Sequence, residues 1–134
     1  EQRAAQSIFS VKQDVRLLNA EVTYQTIGKS LEKMQRTRDV KPADIDWFLP
    51  HMSSEYFRKP MDACMNTVGF PIAQEKWFTN LQTKGNTGSA SIYIMIDELL
   101  NSGRLKHGER LLCFIPESGR FTGSLMHLTA VDHA

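Results

Sequence analysis

Few residues in this sequence have the type and setting to do chemistry. His51 follows the run Asp46-Trp47-Phe48-Leu49-Pro50, and Asn86 lies within Lys84-Gly85-Asn86-Thr87-Gly88-Ser89-Ala90-Ser91. The glycines and small residues of the second stretch let a backbone approach another group closely, and a helix starting there would offer free N–H groups to a ligand. Each residue also has a structural reading. Asn86 or Thr87 could simply cap the helix, and His51 could be a structural histidine that ends a strand. The two thiols read as core. Cys64 shares a helical face with Met61, Met65 and Val68, and Cys113 stands among Leu111, Leu112, Phe114 and Ile115. A buried thiol without a positive neighbour is inert, so neither is expected to be a nucleophile. The cysteines form no metal-binding spacing with His51, His107, His127 or His133.

The elements that must position His51 and Asn86 follow from periodicity. Val11, Val15, Leu18 and Val22, then Tyr24, Ile27, Leu31 and Met34, recur at steps of three and four with one slip, which predicts a long amphipathic helix that Ser10 could cap. Lys41-Pro42-Ala43-Asp44 reads as a turn before a short β-prone run, Ile45 to Leu49, stopped by Pro50. A second helix is predicted over about Ser53 to Val68, closed by Gly69. A small strand, Trp77 to Leu81, then leads through the glycine-rich stretch into a third helix, Gly88 to Leu100, closed by Gly103. Arg110 to Ile115 is a nearly continuous apolar run of the sort buried on both sheet faces, and Ser124 to Val131 is a final strand.

Strands alternating with helices, followed by two adjacent strands, predict an α/β fold with helices layered on a mixed, mostly parallel sheet that has an antiparallel edge. In such sheets, ligand-contacting side chains collect outside the carboxyl ends of the strands. His51 and Asn86 are both expected at that edge, facing one pocket. The chain opens on a helix, with only Ile8 and Phe9 as strand candidates in residues 1–10, so a cut at a module boundary is expected.

The bulk numbers narrow the function classes. The 134 residues, 41% of them hydrophobic, suffice for one real core and one domain. A net charge of +1 demands no polyanionic partner, so a nucleic-acid binder is not expected. No apolar run reaches about 18 residues and the first residues are polar, so neither a membrane span nor a signal peptide is expected and a cytoplasmic location is the default. Two cysteines in such a chain suit free thiols in a reducing compartment. Lys29, Lys33, Arg36, Arg38 and Lys41 form a basic cluster, read either as a solvated helix face or as an attractor for an acidic protein.

Taken in order, Asp46-Trp47-Phe48-Leu49-Pro50-His51, then Gly85-Asn86-Thr87-Gly88-Ser89-Ala90-Ser91, then Leu99-Leu100-Asn101-Ser102-Gly103-Arg104-Leu105-Lys106-His107-Gly108-Glu109, closely resemble the 3-oxoacyl-[acyl-carrier-protein] synthase III family. The resemblance runs from about residue 10 to 131. It implies that residues 1–134 are the C-terminal half of a thiolase-fold condensing enzyme, packed against an N-terminal half that holds a cysteine nucleophile. His51 and Asn86 would then be the catalytic partners of that cysteine, donating hydrogen bonds to the thioester carbonyl of a malonyl group and stabilising the enolate formed on decarboxylation. The cysteine would first take an acyl group from acyl-CoA or another thioester. The implied partners are acyl-CoA, malonyl-acyl carrier protein and a second copy in a homodimer. No metal or other cofactor is implied. The chain alone would be inactive, because the cysteine lies elsewhere. Two alternatives stand beside this reading: an acyltransferase of the same family that does not decarboxylate, and a scaffold half that pairs with a catalytic paralogue.

Two departures from the family pattern matter. Met52-Ser53-Ser54 replaces a Gln-Ala-Asn-like run that helps hold the pantetheine arm. Glu117-Ser118-Gly119-Arg120 replaces a glycine-triplet turn whose backbone N–H helps form the acyl oxyanion hole. The Ser118 N–H could still serve there, and the added charge suggests a relative in secondary metabolism rather than the initiator of fatty acid synthesis.

Overall fold

The computed structural model describes residues 14–117 and 119–132. The chain enters through helix α1 (Val15–Thr23), a π-helical turn (Tyr24–Gly28) and α2 (Lys29–Thr37), which together form one continuous helical rod. Asp14 caps α1, its carboxylate accepting from the Leu17 N–H at 3.0 Å. The Ser10 cap and the predicted start at Val11 lie outside the described residues. The rod is followed by β1 (Trp47–Pro50), α3 (Arg58–Thr67), the one-turn α4 (Leu81–Lys84), α5 (Ser91–Asn101), β2 (Arg110–Glu117) and β3 (Thr122–Thr129).

The slip in the apolar pattern is the π-helical turn. The buried sequence along the rod is Val22, Thr26, Ile27, Leu31, Met34, with a step of five from Val22 to Ile27 that only an i to i+5 turn keeps on one face. Tyr24, expected on that face, instead points outward at 43% exposure, and Val15 is also exposed. Two glycines let this wide turn seat. A Cβ on Gly28 would meet the Tyr24 ring at 2.6 Å and Cys64 Sγ at 3.0 Å, and one on Gly123 of β3 would meet the Thr26 carbonyl oxygen at 2.8 Å. Ser30 Oγ then donates to the Gly123 carbonyl at 3.2 Å, tying rod to strand.

The sheet has the order β1-β2-β3, with β1 parallel to β2 and β2 antiparallel to β3. The predicted strand Trp77 to Leu81 is reduced to a single parallel bridge, Phe48 to Trp77, with Phe78 N–H donating to the Phe48 carbonyl at 2.8 Å. Two local bonds stop it from extending. The Trp77 backbone N–H is given to the Gln74 carbonyl at 3.1 Å, closing a 3-10 turn, and Asn80 already begins α4 by accepting from the Lys84 N–H.

Two apolar cores lie on opposite faces of the sheet. Phe48, Leu112 and Phe114 join Ile27, Leu31, Met61 and Met65 from the rod and α3 on one face. Leu49, Leu111 and Cys113 join Ile92, Met95 and Leu99 of α5 on the other. The strict alternation along β1 and β2 divides one continuous apolar run between the two cores. Among the described residues no helix is long and apolar enough to cross a membrane.

The contact between Gly123 and the π-helical turn yields a test. In Gly123→Ala the new methyl group meets a backbone oxygen that cannot swing away, so a loss of about 1–3 kcal/mol is expected. Urea unfolding of the purified variant measures it, and an unchanged midpoint would show that the rod does not press on β3.

Candidate functional site

His51 is the first residue after β1. Its N–H donates to the Phe114 carbonyl at 2.9 Å, which extends the parallel ladder by one rung and fixes the ring at the carboxyl edge of the sheet. Pro50, buried just before it, is the last residue of β1 and pairs with Phe114. The imidazole is half-buried, and that burial lowers its pKa from the ordinary histidine value. At neutral pH the ring is therefore uncharged, with one nitrogen a donor and the other an acceptor.

The ring lies between two cavities. The larger, about 230 Å³, is walled by Val22, Thr23 and Thr26 of the rod, by Met52 and Phe57 after β1, and by Phe114 and Pro116 of β2. Its lining is mixed, with threonine hydroxyls among apolar side chains. The smaller, about 10 Å³, lies between His51 and the segment Thr79, Asn80, Leu81 and Gly85, with Ser91 and Met95 of α5 behind. Arg58 braces this side. Its guanidinium donates to Glu55 at 3.1 Å, Gln74 at 3.0 Å and Thr79 at 2.8 Å, linking the chain after His51 to the chain before Asn86.

Asn86 is exposed, in a loop flanked by Gly85 at φ +71° and Gly88 at φ +59°, a backbone that favours glycine. Its Oδ1 accepts from the Gly88 N–H at 3.0 Å, which leaves the Nδ2 group as the outward donor. The capping reading is thus met locally, by a turn bond, while Thr87 uses its hydroxyl on Ser91 at 2.8 Å. The structure brings the two loops together, since His51 and Gly85 line the same small cavity. The Asn86 side chain itself is not among that cavity's walls.

Ser118 lies outside the described residues. Around it, the Glu117 carboxylate folds onto its own loop, accepting from the Gly119 N–H at 2.7 Å and the Arg120 N–H at 3.0 Å. Both cysteines are free. Burial pushes the Cys113 thiol up to about 12, and burial, with the Glu32 charge second, raises that of Cys64. Neither is a thiolate at neutral pH. His107 pairs with Asp132 at 3.0 Å in its turn, His127 is exposed on β3, and His133 lies outside the described residues. Among the described residues no cluster of three metal-binding side chains occurs. Lys29, Lys33, Arg36, Arg38 and Lys41 are all exposed, as a solvated face requires.

Sequence reasoning missed the polar braces Arg58 and Glu98. Glu98 of α5 accepts from Asn80 Nδ2 at 2.5 Å and pairs with Lys84 at 3.2 Å. Apart from Glu55, their partners lie 14 to 21 residues away and leave no local pattern to read.

Residues 35–126 match the family model described as 3-Oxoacyl-[acyl-carrier-protein (ACP)] synthase III C terminal. A beta-ketoacyl-[acyl-carrier-protein] synthase III 2 from Deinococcus radiodurans is 38% identical over 88 residues, 66% of this chain and 25% of that protein. The crystal structure of a 3-oxoacyl-(acyl carrier protein) synthase III from Pseudomonas aeruginosa PAO1 superposes with a TM-score of 0.72 at 17% identity, covering 92% of this chain and 37% of that one. The E117D form of OleA from Xanthomonas campestris also gives 0.72, at 24% identity, covering 87% and 33%. The thiolase-type α/β fold with a mixed sheet, expected from the sequence, is thereby borne out. The chain spans about a quarter of the length of the curated relatives it matches.

The depressed pKa of His51 gives a signed prediction. The unfolded chain takes up the proton near pH 6.5 and the folded one only at lower pH, so the contribution is intact above 6.5 and is lost as pH falls through the folded value. The His51 imidazole resonance in NMR should titrate with a midpoint below 6.5. A midpoint at or above 6.5 would mean that the ring is not desolvated.

Proposed function

The chain belongs to the 3-oxoacyl-[acyl-carrier-protein] synthase III C-terminal family, and from that premise we propose that the protein carrying it is a condensing enzyme for acyl thioesters. The reaction is decarboxylative condensation of an acyl thioester with malonyl-acyl carrier protein. His51 and Asn86 supply two N–H donors for the malonyl thioester carbonyl. As the bond to the carboxylate breaks and carbon dioxide leaves, its electron pair moves onto that carbonyl as an enolate. Two preorganised donors stabilise the developing oxyanion. The enolate carbon then attacks an acyl group held on a cysteine, and collapse of the tetrahedral adduct expels the cysteine thiolate.

The observation that carries this reading is the state of the two groups, His51 at the carboxyl edge of the sheet and Asn86 in the loop whose Gly85 lines the same small cavity. Burial keeps His51 neutral, so it can donate without bringing a charge that would be neutralised at the next step. The Gly88 N–H holds the Asn86 oxygen, so its amide hydrogens are the end left free. The 230 Å³ cavity beside His51 offers apolar and hydroxyl-bearing walls suited to a thioester arm. We assign the nucleophilic cysteine to the rest of the protein, because the two thiols here are held protonated. On this reading the chain alone does not condense substrates. The Ser118 N–H would complete the acyl oxyanion hole. The full protein would be a cytoplasmic homodimer using acyl-CoA and an acyl carrier protein, with residues 1–134 as its C-terminal half.

In the full-length protein, His51→Ala and Asn86→Ala should each abolish malonyl decarboxylation while sparing acyl loading of the cysteine. Release of carbon dioxide from labelled malonyl thioester and mass spectrometry of the acyl-enzyme read the two steps separately. Normal decarboxylation by both variants would remove these roles and favour a family acyltransferase or a scaffold half.

A further inference from the structure

Asn86 is gripped on both sides by one helix. The one-turn α4 has Asn80 just before its start and Lys84 at its end, and both side chains converge on Glu98 of α5, Asn80 Nδ2 on Oε2 at 2.5 Å and Lys84 Nζ on Oε1 at 3.2 Å. The Lys84 N–H also donates to the Asn80 carbonyl at 2.8 Å, which closes the turn between the two anchor residues. On the far side of Asn86, the hydroxyls of Thr87 and Ser91 meet at 2.8 Å, and Ser91 is the first residue of α5. Gly85 and Gly88 give the intervening loop little stiffness of its own. Its shape must come from these attachments.

The same segment faces the other candidate group, since Thr79, Asn80, Gly85 and Ser91 share the small cavity with His51. Glu98 lines neither cavity beside His51. The Asn80 hydrogen bond, then Lys84, holds its carboxyl below the usual carboxylate range, so it stays ionised and keeps both partners at neutral pH.

We propose that Glu98 is a positioning residue for Asn86: by holding Asn80 and Lys84 it fixes where the Asn86 carboxamide stands relative to His51, and so governs decarboxylation without touching the substrate. This rests on the roles given above to His51 and Asn86. Donors for an oxyanion work only within a few tenths of an ångström of their ideal distance, and a misplacement of about 1 Å can cost about 100-fold in rate.

The test is a double-mutant cycle in the full-length protein. Glu98→Ala is expected to slow malonyl decarboxylation about 10- to 100-fold while acyl loading of the cysteine stays within about twofold. Glu98→Gln, which keeps an acceptor for Asn80 but loses the charge facing Lys84, should fall between. In the Asn86→Gln background, where the carboxamide is already displaced but not removed, Glu98→Ala should cost nothing further. Should Glu98→Ala fail to fold, Asn80→Ala carries the same cycle. A normal rate for Glu98→Ala, or penalties that multiply in the double variant, overturns the positioning role and leaves the reading of Asn86 standing if Asn86→Ala is inactive. Normal decarboxylation by Asn86→Ala overturns both.

Discussion

Strand β2 cannot meet water on either face. Leu111, Leu112, Cys113 and Phe114 are all buried, alternating between two cores, and each large side chain among them contributes roughly 1.5–3 kcal/mol only if its own face is covered. A strand with that demand needs helices on both sides and a neighbour in the plane. The rod and α3 supply one side, α5 the other, and β1 lies parallel alongside. Everything at the candidate site follows. Because β1 must run parallel to β2, its carboxyl end and that of β2 emerge at one edge, and His51 is the residue that emerges first.

The rod resolves a conflict between two demands on the same residues. Its second half must bury Ile27, Leu31 and Met34 against the sheet, while its first half must present Val22 and Thr26 to the cavity beside His51. A regular helix with this sequence would rotate one of those sets away. The π-helical turn absorbs the misfit, and it can be that wide only because Gly123 and Gly28 leave room for its backbone and for the Cys64 side chain. A wall of the cavity is thereby built by backbone fit rather than by side-chain choice.

Much of this was legible in the sequence. Helical and strand periodicities located the rod, β1, α3, α5 and the β2–β3 hairpin, because burial imposes those periods directly. The irregular step between Val22 and Tyr24 was visible too, although reading it as a continued face put Tyr24 inside when it is outside. The segment Trp77 to Leu81 misled because its apolar residues satisfy a strand pattern while its backbone hydrogen bonds are spent locally, on Gln74 and within α4. Motif order pointed to His51 and Asn86. The braces that hold their loops could not be read, since Arg58 to Thr79 and Asn80 to Glu98 are pairings that only the folded chain creates.

The bond from the Gly88 N–H to Asn86 Oδ1 also bears on side-chain chemistry at this position. An aspartate would accept the same hydrogen bond with the same shape, and the loop would hardly register the exchange. Its free end, however, would be an oxygen carrying negative charge in place of an amino group. Spontaneous deamidation here would therefore leave the architecture intact while inverting the electrostatic sign of the free end of the side chain.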